Sequence, residues 1–573
     1  MKKLLLVALV GLFAFSLTAC KEEESGVPVF AGAVDQTVEI DTTFDALDGV
    51  TAEDAEDGDL TADIVVTGDV DTSTVGEYTV TYTVTDSDGN EVEVEVTITV
   101  EYGPRTVITY AGWNVGTAEA NNLTRRLIAE FNATNPMYEI EIVEYEGNYN
   151  EFLATRAAAG DFPDVVLSGN VPDFIVAGYA GDITSVAEAD DEWTDIPQNL
   201  RDAVTYNGKV FAIPSSTNYL GMFANLDLID DANITTDFTT LDYTYDEWIA
   251  AIEAATDTTR TDGTSTAGIT IPTSIVNWLP AVLDQEAETP LGIGHFVYNG
   301  EEFLLNSQVM KDALAEAASI VSNQWSVSAY STAPTGPLED QPSEREQLFG
   351  SNWDGFAFRN GLAAFNWDGT WATSLQDNAD DAGFDLQFVG LPGGNVVGVQ
   401  DFMTISKTTD NLEGAFEVAK WLSFGADGIN ARFDIVENTV PDTENGESAL
   451  SIAGLPVNST QAIVDKWFEN YPVAGVQEWF EAAATGEVTV LNEGNKFVPG
   501  FLWARFWYDT GIDATISRPD NDPGSTLSIG DLIWDSQLGR IVYSDYMTPE
   551  LEAAINYEFA KAYNALLLSM LED

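Results

Sequence analysis

Apolar residues change their spacing once along this chain, near residue 104, and that change divides what the chain can fold into. From Val27 the sequence is rich in Thr, Val, Asp and Glu and alternates with period two. Tyr78-Thr79-Val80-Thr81-Tyr82-Thr83-Val84 is followed by Val92, Val94, Val96, Ile98 and Val100, separated by Glu or Thr. Side chains that reverse face at each step make such runs half-buried strands. Between them, Asp86-Ser87-Asp88-Gly89-Asn90 supplies a glycine for positive φ and side chains that bond the local backbone, as a hairpin turn requires. Residues 27–102 therefore read as a small β-sandwich, and Glu101-Tyr102-Gly103-Pro104-Arg105 as the linker out of it.

Beyond Thr106 strands alternate with helices. Val107-Ile108-Thr109-Tyr110 reads as a strand, Gly112 to Gly116 as a loop, and Leu123, Leu127, Ile128 and Phe131 as one face of a helix. A strand at Tyr138 to Val143, a helix at Asn150 to Ala159 and a strand at Asp164 to Leu167 continue the series. Strand, helix, strand is the α/β signature, with ligands at the carboxyl ends of the strands. Near the end, a stretch rich in Asp, Pro and Gly (about 511–547) precedes a last helix at Pro549 to Leu568.

Charge narrows the partners. With 22 Lys plus Arg against 95 Asp plus Glu, the net charge of −73 repels phosphate backbones and anionic headgroups, which excludes nucleic acid. The same scarcity of bases disfavours anionic ligands, with Arg359 and Arg505 the available clamps. One His and one Cys allow no internal disulfide, no Cys/His zinc cluster and no HExxH site, so neither metal nor cofactor is expected. A catalytic triad would need His295, which stands in the run Gly292-Ile293-Gly294-His295 and reads as a loop residue.

The first residues read as an address. Met1-Lys2-Lys3 is a positive start, and the apolar stretch Leu4 to Leu17 is shorter than the roughly 20 residues a spanning helix needs. It ends in Leu17-Thr18-Ala19-Cys20, which resembles the lipobox of bacterial lipoproteins, whose cysteine is acylated. That resemblance implies a signal peptide over 1–19, a tether over 20–26, and a chain anchored through lipid on Cys20 at the extracellular face of the membrane, since two acyl chains hold stably.

Two further resemblances follow from ordered motifs. Glu56-Asp57-Gly58-Asp59-Leu60-Thr61, Gly76-Glu77-Tyr78-Thr79-Val80 and the 86–90 turn are similar to bacterial immunoglobulin-like repeats, which usually act as spacers. In the remainder, Gly160-Asp161-Phe162-Pro163-Asp164-Val165-Val166 and Gly208 to Pro214 running on to Asn225-Leu226-Asp227 resemble family 1 extracellular solute-binding proteins. So do Gly361-Leu362-Ala363-Ala364-Phe365 leading to Gly369-Thr370-Trp371-Ala372, and Leu391-Pro392-Gly393-Gly394 followed by Thr404-Ile405-Ser406-Lys407. Phe497-Val498-Pro499 and Phe506-Trp507-Tyr508 resemble the family's late aromatic segment. The resemblance implies a type II periplasmic-binding-protein fold at 105–573. Lobe I would cover about 105–217 and 399–455, and lobe II about 218–398 and 456–573. It also implies a non-enzymatic, monomeric receptor that delivers a carbohydrate to the permease of an ABC importer.

A sugar offers apolar C–H faces and a ring of hydroxyls, so its site pairs aromatic platforms with planar hydrogen-bonding groups. The chain, 11% aromatic with 14 Trp, has both at the loops where strands end. Trp113 and Asn114 follow the first strand, Asp164 opens the third, and Asn218 lies at the crossover between lobes. Trp367, Asp368 and Trp371 lie where a helix is expected to start, Asp401 follows the Gly-rich turn, and Trp507 closes the set. Most Trp serve as core, the reading that fits Trp278, and Asn218, Asp401 and Asp164 are equally suited to turns or caps. A secreted glycoside hydrolase with the same spacer is the enzymatic alternative, and a surface adhesin a third, but among 95 acidic residues a carboxylate pair arises by chance.

Overall fold

A computed structural model describes residues 26–117, 122–259, 263–272, 274–335, 341–441, 450–496, 498, 516–517, 526–527 and 529–569. Cys20 with its leader, and Trp507, lie outside the described residues. Contacts divide the chain into one unit ending at Arg105 and another beginning at Thr106.

The first unit is built from β1 (Val29–Ala31), β2 (Gln36–Glu39), β3 (Thr51–Asp54), β4 (Gly58–Asp59), β5 (Val65–Thr67), β6 (Gly76–Thr85) and β7 (Glu91–Glu101). They form two sheets, in the orders β1-β3-β4 and β2-β7-β6-β5. Period two does what it predicts: Val80 pairs with Val96 and Tyr82 with Val94, and Val80, Tyr82, Val96 and Ile98 are buried together with Val50. The β6–β7 turn is closed by Gly89, at φ 88°, and by the Asp86 carboxylate accepting from the Asn90 backbone N–H at 2.7 Å.

The second unit contains β8 (Thr106–Ala111), β9 (Tyr138–Ile142), β10 (Val165–Ser168), a ribbon of β11 (Thr205–Tyr206) and β12 (Lys209–Val210), then β13 (Ile213–Asn225), β14 (Ala267–Ile269), β15 (Ala363–Gly369), β16 (Leu386–Gly390), β17 (Asn395–Ile405) and β18 (Thr489–Asn492). The main sheet runs β14-β15-β13-β17-β10-β8-β9, with β16 on β13 and β18 on β17. β8 pairs in parallel with β9 and β10, as strand-helix-strand alternation demands. The intervening helices α1 (Leu123–Thr134) and α2 (Tyr149–Ala159) start on Asn122 and Asn148, whose side chains each accept a backbone N–H at 3.0 Å. Leu127, Ile128 and Phe131 face the core as their spacing predicts, whereas Leu123 is half-buried against a different cluster.

Two strands are long enough to belong to both halves. β13 starts beside β17 at Ile213 and Pro214 and ends against β15 at Leu220 to Ala224, while β17 ends against β10. These antiparallel strands carry the chain between two separate cores, and their register slips between Pro214 and Ser216. The chain passes a third time at 452–457, where Leu455 bridges to Thr217, with Ile452 and Leu455 buried in a lobe II cluster and Val457 in that of lobe I. Lobe I buries Ile108, Phe131, Val165, Leu167, Phe402 and Ile405. Lobe II has two clusters, one around Trp248, Trp278 and Phe365, the other around Phe223, Phe388 and Trp479. Trp278 is thus a core residue, and buried His295 stands in a short 3-10 turn of lobe II. The last helix, Pro549–Ser569, packs Ile555 and Phe559 into lobe II and Leu566 into lobe I.

One local expectation fails. Residues 366–369 do not open a helix but complete β15, and the next helix, Ser374–Ala382, begins beyond Trp371 without a side-chain cap. Pairing of Asn366, Trp367 and Asp368 with Phe223, Met222 and Gly221 supplies the backbone partners that a helix start would have left free.

Candidate functional site

The three crossings form the floor of a cavity of about 470 Å³. Ser216 pairs with Asp401 and Asn218 with Val399, and because alternate residues of a strand share a face, these four side chains project the same way and line it. Ala453 and Gly454 from the third crossing complete the floor, and Lys496, just beyond β18, closes one side. Lys496 Nζ donates to the Asp401 carboxylate at 2.8 Å, with both side chains mostly buried. Buried Asn218 accepts from the Thr370 hydroxyl at 3.1 Å, which holds its amide plane.

Two indoles flank this polar floor from opposite lobes. Trp113 follows β8 in lobe I and is 41% exposed, its ring set edge-on to Tyr149 at 5.4 Å. Tyr149 is itself fixed, its hydroxyl lying 2.9 Å from the Ala111 carbonyl and 3.0 Å from that of Leu167, at the carboxyl ends of β8 and β10. Trp371 follows β15 in lobe II and is 45% exposed. Its ring lies on the backbone of Gly369, where an added Cβ would come within 2.5 Å of the indole. Asp368 accepts a hydrogen bond from Trp371; burial raises the pKa of that carboxyl, opposed by the Gly369 N–H, Arg359 and the indole. Both platforms are therefore exposed yet oriented by their neighbours.

The structure brings Trp113, Asn218, Trp371 and Asp401 together around one cavity. It leaves others outside. Asp164 stands at the start of β10, not at its carboxyl end, and its carboxylate accepts from Thr109 at 2.6 Å and Thr409 at 2.7 Å, tying strands within lobe I. Asn114 Oδ1 accepts from the Tyr110 hydroxyl at 2.8 Å and shapes the turn. Trp367 packs half-buried against the lobe II core. Asp368 does not line the cavity but supports Trp371 behind it. Sequence reading missed Ser216, Val399, Ala453, Gly454 and Lys496. Ser216 and Val399 were recoverable by stepping two residues from Asn218 and Asp401, whereas no local pattern marks Lys496.

A second cavity of about 480 Å³ adjoins on lobe I, sharing Trp113 and lined by Tyr149, Asn148, Asn150, Asn170, Asp173 and Tyr179 among others. Burial raises the pKa of Asp173 there. A larger depression of about 690 Å³ lies between helices on lobe I and is edged by Glu130, Glu417, Asp427 and Asp434. It sits away from the strand ends, and its aromatic rings, Phe131 and Trp421, are committed to the lobe I core. Among the described residues no group of His, Cys, Asp and Glu could hold a metal ion, and no helix is long and apolar enough to cross a membrane.

A family model described as bacterial extracellular solute-binding protein matches residues 116–424, more than half the chain. A second, described as bacterial surface protein, Ig-like domain, matches residues 29–100. Among solved structures, the ABC substrate-binding protein Lmo0181 of Listeria monocytogenes, in complex with cycloalternan, is 20% identical. It matches over 80% of this chain and 99% of its own, with a TM-score of 0.53. The GacH receptor of Streptomyces glaucescens, solved unliganded and with acarbose, is 15% identical over 81% of this chain and 99% of its own, with a TM-score of 0.52. At such identities the likeness is one of fold. No curated protein matches the sequence.

Proposed function

Because the chain belongs to the bacterial extracellular solute-binding protein family, we propose that it is a non-enzymatic, monomeric receptor that captures an oligosaccharide between its lobes and delivers it to an ABC importer. The observation that carries this reading is the pairing of two exposed indoles, Trp113 and Trp371, from opposite lobes over a floor of Ser216, Asn218 and Asp401. Indole faces complement sugar C–H faces, and the amide and carboxylate complement hydroxyls. Since the floor is the crossing itself, a ligand touching both indoles would favour the closed arrangement of the strands, and closure would be what the permease recognises. The same fold holds cycloalternan in the Listeria relative.

Hydrolysis would need two carboxylates across the scissile bond. Asp401 is the one carboxylate lining the cavity among the described residues, and Lys496 occupies it. Purified protein incubated with labelled oligosaccharides is expected to retain ligand intact, and a ligand at a hundred times its dissociation constant adds about 2.7 kcal/mol of stability. Cleaved products, or no stabilisation by any neutral oligosaccharide, would sink the reading.

We take residues 27–102 as a spacer and 105–573 as the receptor, with the lobes meeting at 217/218 and 398/399. The lipid tether rests on Leu17-Thr18-Ala19-Cys20. Cys20→Ser should move the protein from the membrane fraction to the medium and abolish labelling by fatty acid; retention in the membrane fraction would refute acylation at Cys20.

A further inference from the structure

Thr370 stands between the end of β15 and the exposed indole of Trp371, yet it is fully buried. Its backbone N–H donates to the Tyr219 carbonyl at 2.9 Å, and its hydroxyl accepts the Tyr219 N–H at 3.1 Å. Its carbonyl accepts from the Gly454 N–H at 3.4 Å and from the hydroxyl of Tyr471, which follows the helix Gln461–Glu469. Behind the cavity floor, one residue therefore ties β13, the third crossing and the seat of Trp371 together.

The proton of that hydroxyl decides what the floor can recognise. A threonine hydroxyl carries one proton and two lone pairs, and the Tyr219 N–H, which can only donate, takes a lone pair. The proton then has one acceptor among the described residues, Asn218 Oδ1 at 3.1 Å. Turning the amide over would set Nδ2 against the hydroxyl oxygen and leave the proton buried with no acceptor, a state that folded proteins avoid. Gly454, where a Cβ would stand 3.0 Å from Asn218 Oδ1, leaves the carbonyl its place. Asn218 Nδ2 has no acceptor among the described residues, and the side chain lines the cavity, so its two N–H groups are what it offers a ligand. Asp401 lies diagonally across on β17, on the same face, because it opposes Ser216 two residues from Asn218. Its carboxylate only accepts. A ligand hydroxyl, with an oxygen that accepts and a proton to give, satisfies both.

We propose that Thr370 is a positioning residue for ligand binding: its hydroxyl fixes the Asn218 amide so that the floor presents donors at Asn218 beside the acceptor at Asp401. The proposal rests on the carbohydrate reading above and adds to it which atom of Asn218 meets the ligand and what holds it there. Calorimetric titration of the full-length protein with neutral malto-, xylo- and manno-oligosaccharides first finds a binding sugar. That sugar is then titrated into Thr370→Val, Thr370→Ser, Asn218→Ala and the double variant Thr370→Val/Asn218→Ala, with chemical denaturation of each. Thr370→Val should weaken binding about tenfold, and Thr370→Ser, which restores the hydroxyl, should recover it. Because Thr370→Val also removes the acceptor of the Tyr219 N–H, unliganded stability should fall whether or not Asn218 is present. Affinity should fall only where Asn218 is present, so that adding Thr370→Val to Asn218→Ala changes it by less than about twofold. Equal loss of affinity in both backgrounds would make Thr370 a purely structural residue, and no loss in either would free the amide from it; each overturns the proposal. Asn218→Asp keeps an acceptor toward Thr370 but replaces the donors with an oxygen, and should bind no better than Asn218→Ala; wild-type affinity there would overturn the donor assignment. If no oligosaccharide binds the wild type, the carbohydrate reading falls and this assignment with it, whereas sugar binding that Thr370→Val leaves unaltered removes the assignment alone.

Discussion

Trp371→Ala should abolish ligand-induced stabilisation while shifting the unliganded stability by no more than about 0.5 kcal/mol, as for a surface substitution. The ring is 45% exposed and contributes to the cavity, not to a core cluster, so its removal empties a platform without opening a void. Gly369→Ala provides an independent route to the same defect. A methyl group there would meet the indole at 2.5 Å and push it off its seat with Trp371 still present. Thermal unfolding with and without a binding oligosaccharide reads both variants. A large loss of unliganded stability in Trp371→Ala would mean that the ring supports the lobe, and unchanged ligand stabilisation would remove it from the site.

The second large effect is expected at the ion pair. Asp401→Ala strips the partner from Lys496, whose side chain is only 16% exposed, and leaves an ammonium facing the cavity without its carboxylate. Unliganded stability should fall by about 1–3 kcal/mol, the cost of an unsatisfied, largely buried polar group. Ligand affinity should fall by about a hundredfold, because a carboxylate on the floor is lost as well. The double variant Asp401→Ala/Lys496→Met separates the two causes: stability should return most of the way while affinity stays low. If affinity also returns, Asp401 serves only to neutralise the lysine. Chemical denaturation and calorimetry on the two single variants and the double variant decide between these.

How much of this was legible beforehand depends on the range of the interaction involved. The period-two run from Tyr78 to Val100 and the strand-helix alternation after Thr106 became the predicted strands and helices, because the face a side chain occupies follows from position along a regular backbone. Trp113 was legible because it follows a strand whose carboxyl end could be read, and a bulky ring just past such an end lines the cavity, whereas Trp371 was singled out by the resemblance of Gly369-Thr370-Trp371-Ala372 although the end of its strand was misplaced.

The errors share a cause in distance along the chain. Trp367 and Trp371 are close in sequence, yet one sits within β15 and packs on the lobe II core while the other has left the strand, and only the pairing of β15 with β13 fixes where the strand stops. Asp164 has the residue type a sugar site wants, but at the opening of β10 it satisfies Thr109 and Thr409 instead. Lys496 reaches Asp401 across 95 positions because β18 pairs in parallel beside β17 and delivers the segment after it to the cavity.

The sequence by itself determined the two kinds of domain, the run of strands and helices, and the supply of indoles, since these depend on local periodicity and composition. Which indoles stand in solvent, which carboxylate is held by a lysine, and where three separate segments cross to make a floor were decided only by tertiary structure, because strand pairing sets neighbours among residues that the chain itself keeps far apart.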